Sequence, residues 1–101
     1  MLYYCGFKWH NHTTREQVAQ RILQLHGESG ANVKQYLKGW YNLVGGGAGF
    51  LLVEADDPHK VTAFTQPYMD LMSFDVRAIY SLDYDQQIQE LRQVAQSTSA
   101  R

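Results

Sequence analysis

Cysteine is almost missing from this chain. Cys5 stands alone among 101 residues, which excludes an internal disulfide framework. No excess of charge exists either: nine Lys and Arg against ten Asp and Glu leave a formal net charge of −1. The cations are scattered. No basic stripe argues for nucleic acid, and no basic amphipathic helix argues for a membrane surface. No apolar run approaches the roughly 20 residues of a membrane span. The opening MLYYCGF has no charged leader and no small-residue cleavage pattern, unlike a secretory signal. The expectation is a cytoplasmic protein whose partners include neither nucleic acid nor membrane. No phosphate loop ending in Gly-Lys-Ser/Thr, dinucleotide fingerprint, nucleophile-elbow serine or zinc motif occurs, so no cofactor is expected.

What is present is an aromatic-rich chain of ordinary hydrophobicity. Aromatics make up 13% of it, with seven Tyr, four Phe and two Trp. Tyr and Trp favour half-wet places such as interfaces and pockets, although core packing also absorbs them. The length predicts one domain over 1–101, with order ending near Gln96 and the STSAR tail fraying.

The pattern along the chain predicts alternating strands and helices. LYYCGFKW, residues 2–9, reads as the first strand. His10-Asn11-His12 is a polar loop. Thr13-Thr14-Arg15-Glu16 fits a capping box, and Val18, Ile22 and Leu25 follow at helical spacing. Gly27 and Gly30 read as the stop, giving a helix over 14–27. Val33 to Leu43 reads as the second strand. Gly45-Gly46-Gly47 marks a hairpin tip, because glycine tolerates positive φ. Phe50 to Ala55 is the third strand. Asp56 or Asp57 caps a second helix with Pro58 in its first turn, and Pro67 breaks it. Ser73 to Leu82 is the fourth strand. Asp83-Tyr84-Asp85-Gln86 opens a terminal helix with Tyr84, Ile88, Leu91 and Ala95 on one face; its sequence allows docking on a sheet edge or on a partner.

The order βαββαβ plus a terminal helix is the ferredoxin-like α+β arrangement with a four-stranded antiparallel sheet. Its strands look apolar on both faces, while two helices cover only one, which points to a partner surface or a ligand. Strand alternation divides the faces. Leu51, Val53 and Ala55 are purely apolar and are assigned to the helices, as are Phe74, Val76, Ala78 and Tyr80. Phe50, Leu52 and Glu54 fall on the other face, with Asp75, Arg77 and Ile79. In the second strand Lys34, Tyr36, Lys38 and Trp40 share a face.

Glu54-Ala55-Asp56-Asp57-Pro58, Asp70-Leu71-Met72-Ser73-Phe74-Asp75-Val76 and Gly39-Trp40 together resemble the motifs of a small bacterial family of uncharacterised proteins. The family's Trp before Asp-Leu is replaced here by Tyr68 or Met69, and its late Pro by Ala78. The resemblance spans nearly the whole chain. It implies a ferredoxin-like fold within the dimeric α/β-barrel superfamily, whose members pair their sheets face to face. That superfamily includes cofactor-free monooxygenases, haem-handling enzymes and ligand-sensing domains of regulators, so the fold alone decides no function.

A cleft between paired sheets would hold Tyr4, Tyr36, Lys38, Trp40, Glu54, Asp75 and Arg77. Glu54 and Arg77 read either as an interfacial ion pair that fixes register or as part of a site for a small, partly aromatic molecule. Three functions follow. The first is a homodimeric ligand-binding or regulatory domain. The second is a cofactor-free enzyme, such as a monooxygenase, with Glu54 or a tyrosine as acid or base. The third is a purely structural module. The other suspicious residues have plainer readings. His10-x-His12 supplies too few ligands for a metal. His26 and His59 sit at helix ends. Helix capping explains Asp56 and Asp57 better than paired catalysis does. Cys5, inside a strand, reads as a small buried hydrophobe.

Overall fold

The computed structural model describes residues 1–99, with side chains described outside 28–33 and 98–99. In chain order the elements are β1 (Leu2–Trp9), α1 (Arg15–Tyr36), β2 (Leu37–Asn42), β3 (Ala48–Glu54), α2 (Pro58–Thr65), a 3-10 turn (Gln66–Tyr68), β4 (Met72–Ile79) and α3 (Tyr84–Ser99). The strands form one antiparallel sheet in the order β2-β3-β1-β4. This is the ferredoxin-like α+β arrangement, with a helix added at the end.

One face of the sheet carries the core. Cys5 and Val53 pack with Ala55 and Val61, and Tyr3, Tyr36 and Leu51 close around them. A second cluster joins Val18 of α1 to Leu71 and Met72, flanked by Phe7, Trp9 and Ile22. Both helices therefore sit on the side of Tyr3, Cys5 and Phe7. The register places Leu51 and Val53 of β3, and Phe74, Val76 and Ala78 of β4, on that same side. For β3 and β4 the face assignment read from strand alternation is the observed one, except that Tyr80 lies beyond the end of β4 and is exposed.

The turns follow local chemistry. The Asp57 carboxylate accepts the His59 backbone N–H at 2.9 Å and Pro58 opens α2. The chain passes into the 3-10 turn at Gln66-Pro67, where proline removes a helical donor. Gly45, Gly46 and Gly47 all have positive φ at the β2–β3 hairpin. Asp83 caps α3 by accepting the Gln86 N–H at 3.0 Å.

Several boundaries differ from the sequence reading, β3 among them, which spans Ala48–Glu54. The capping box sits one residue later, between Thr14 and Gln17: each side chain meets the other's backbone N–H, at 3.2 and 2.9 Å. Thr13 instead donates its hydroxyl to the Leu71 carbonyl at 2.6 Å. Helix α1 runs past Gly27 and Gly30 to Tyr36. An interior glycine costs a helix only about 1 kcal/mol relative to alanine, and the packing of Tyr36 against the core holds the last turn. Residues 33–36 are therefore helical, and β2 starts at Leu37. β4 ends at Ile79 and α3 extends to Ser99, so Ser97 to Ser99 of the tail are helical; Ala100 and Arg101 lie outside the described residues.

Arg21 ties α1 to the approach of β4. Its guanidinium grips Asp70 through two bonds of 2.7 and 2.9 Å and also donates to the Pro67 carbonyl. This fork holds the Asp70 carboxyl below its usual range, because hydrogen bonds from a cation favour the ionised form.

Candidate binding face of the sheet

The side chains opposite the helices follow from the same register. Leu2, Tyr4, Gly6 and Lys8 of β1 alternate away from Tyr3, Cys5 and Phe7. Beside them lie Phe50, Leu52 and Glu54 of β3 and Ser73, Asp75, Arg77 and Ile79 of β4. Tyr41 of β2 pairs with Phe50 and joins this face.

Three rings line up across three strands. Tyr4 stacks on Phe50 with centroids 5.4 Å apart, and Phe50 stacks on Tyr41 at 4.9 Å. Offset stacks of this spacing are favourable for aromatic pairs. Two glycines make room for the outer rings. A Cβ at Gly6 would stand 2.8 Å from the Tyr4 hydroxyl, and one at Gly39 would stand 2.8 Å from the Tyr41 ring. Each tyrosine thus leans along its strand over a residue without a side chain.

Beside the stack lies an open groove of about 310 Å³. Tyr4, Gly6 and Phe50 line it, together with Lys8, Ser73 and Asp75. Aromatic carbon lies beside an amine, a hydroxyl and a carboxylate. The Arg77 guanidinium donates to Asp75 at 3.1 Å along β4, so a second cation borders the groove. Stacking surface plus a few polar groups suits a small planar molecule.

The structure sorts the expected site residues. Tyr4 and Asp75 line the groove, and Arg77 lies across from Tyr4 on the same face. Glu54 also points to this face, at its far end, but its carboxylate is 3.0 Å from the N-terminal ammonium. Glu54 and Arg77 do not pair: β1 lies between their strands, and Arg77 is bound to Asp75 instead. Tyr36 is not in the second strand. It ends α1 and packs with the core on the helix side, under the Lys60 ammonium at 5.5 Å from its ring centroid. Trp40 is turned away too. The register shifts between Leu37 and Gly39, so Trp40 pairs with Leu51 on the helix side, 55% exposed. Lys38 falls in that bulge and is exposed.

Phe50, Tyr41, Lys8 and Ser73 were missed as site residues. Alternation alone puts Lys8 on the face of Tyr4. That Ser73 lies opposite Lys8 needs the β1–β4 register, which no local signal supplies. Cys5 is fully buried on the other side, where desolvation pushes its thiol up and away from reactivity. His10 stacks with His12 at 6.2 Å and its Nε2 lies 3.2 Å from the Met69 carbonyl oxygen. No group of three or more candidate metal ligands occurs among the described residues, and no helix there is long and apolar enough to cross a membrane.

A family model described as a domain of unknown function, DUF3303, matches residues 1–96, and the chain belongs to that family. No curated protein matches it.

Proposed function

We propose that this DUF3303 member is a homodimeric small-molecule-binding or regulatory domain, in which two sheets face each other and enclose the ligand. The observation that carries this reading is the sheet face opposite the helices. It presents the Tyr4–Phe50–Tyr41 stack beside a groove, on a protein whose net charge of −1 offers little resistance to self-association. Aromatic side chains at half-exposed positions are favoured in contact surfaces. In the dimer the groove is roofed by the second sheet. Water is excluded, and the polar groups Lys8, Ser73, Asp75 and Arg77 gain strength as orienting contacts. The ligand is a small planar, partly aromatic compound that stacks on the rings.

Catalysis on such a compound would need an acid or base held in that enclosed space. Of the two candidates from sequence, Glu54 sits at the end of the face beside the N-terminal ammonium, away from the groove, while a tyrosine, Tyr4, lines it. Stacking on the rings needs no acid or base, so binding is the reading that the ring stack supports.

Ligand-detected NMR against a panel of small aromatic acids, amines and heterocycles tests it. Members of the panel should bind, and Phe50→Ala should weaken them about tenfold, as loss of one stacking partner worth about 1.4 kcal/mol does. A panel without binders, or binders indifferent to Phe50→Ala and Tyr4→Ala, would contradict the groove as the site.

A further inference from the structure

The terminal helix α3 is the element that exposes most of its described side chains. Of its residues whose side chains are described, Gln87 and Ile88 are half-buried and the others are exposed. Tyr84 is 77% and Leu91 52% exposed, although Tyr84, Ile88 and Leu91 recur at the i, i+4, i+7 spacing of a packing stripe. The link from β4 shows the same pattern, with Tyr80 83% and Leu82 64% exposed. The molecule is elongated accordingly. Its radius of gyration is 18.4 Å and its extents are 60 × 29 × 19 Å, whereas a compact domain of this length has a radius near 13 Å. A lone helix of 16 residues is marginal in water, so its stripe needs a surface.

We propose that each α3 lies on the second copy of this chain, in a reciprocal exchange about the two-fold axis. The second copy as occupant rests on the homodimer proposed above. Area supports it. Four strands of six to eight residues, at about 4.8 Å spacing and about 3.3 Å per residue, give a sheet footprint of roughly 450 Å². A stable interface needs about 800 Å² from each partner. An arm about 24 Å long and about 10 Å wide covers roughly 240 Å², and since each partner buries its own arm and a bed for the other's, the total is roughly 900 Å² and reaches that size. A two-fold dimer closes the exchange: each copy gives one helix and receives one, and no open chain of copies grows.

Sedimentation analysis of the full chain and two full-length variants tests the arm separately from the sheet. Leu91→Glu should raise the dimer dissociation constant on the order of a hundredfold, because the two-fold repeats the lesion, with the far-UV signal of the fold retained. Leu52→Glu, on the sheet face, reports on sheet pairing. In a dimer mixed from isotope-labelled and unlabelled copies, the Leu91 methyls should show contacts to the other copy. Leu91→Glu dimerising like the parent, or Leu91 contacts confined to its own chain, overturns the exchange. If Leu52→Glu dissociates the dimer and Leu91→Glu does not, sheet pairing stands and the exchange falls. If Leu91→Glu alone dissociates it, the exchange stands and sheet pairing falls. A parent chain monomeric at all concentrations overturns both.

Discussion

At the residue scale, packing and charge make separable demands. Leu71 is 7% exposed between α1 and the sheet. Leu71→Ala should cost about 2–5 kcal/mol of unfolding free energy, read as a lower urea midpoint, since deleting a core leucine loses burial and leaves a cavity. The Arg21–Asp70 fork is a surface device with a pH signature. Arg21 holds the folded Asp70 carboxyl below its ordinary value. The contribution to stability is thus complete above that ordinary value and disappears as pH falls through the lower folded one. Asp70→Asn should lower the urea midpoint at neutral pH, and the gap to the parent should close on acidification below the carboxylate range. A gap independent of pH would mean that the fork contributes shape and not charge. On the open face, Gly6→Ala should displace the Tyr4 ring from its bed. The far end of a flexible side chain can move cheaply, so the melting temperature should change little while the Tyr4 ring resonances shift.

At the element scale, the caps and turns decide where each piece begins. Thr14→Ala removes the hydroxyl that accepts the Gln17 N–H and should cost about 1 kcal/mol, checked by urea unfolding; an unchanged midpoint would argue against the box. Much of this level was legible in the sequence. The alternation of Leu51, Val53 and Ala55 against Phe50, Leu52 and Glu54 identified the covered face, because a one-residue slip would drive Glu54 into the core. Asp57-Pro58 and Gly45-Gly46-Gly47 announced their turns by chemistry that few other residues share. The end of α1 was not legible. Glycine propensity is a weak local term, and the packing of Tyr36 across the fold outweighs it. The face of Trp40 was hidden for another reason. The register shift between Leu37 and Gly39 inverts the alternation for the rest of β2, and nothing in LKGWYN marks it. Within one chain the expected Glu54–Arg77 pair is ruled out by strand order, which puts β1 between β3 and β4.

At the scale of the whole molecule, the chain is asymmetric. Two helices cover one face of the sheet, aromatic rings occupy the other, and a third helix leaves most of its described side chains exposed. The proposed homodimer would answer both uncovered surfaces together, with a second copy of the same chain. The sequence signalled the two-sided burial problem through strands apolar on both faces. It could not place the rings against one another, since Tyr4, Tyr41 and Phe50 come from three strands joined only by the register. The measurement that bears most directly on this account is the native mass of the undenatured protein at micromolar concentration. The account predicts twice the 11.6 kDa chain mass, with a further small mass when a ligand is carried through purification. A chain that stays at its single mass would contradict the paired sheets, and with them the enclosed groove.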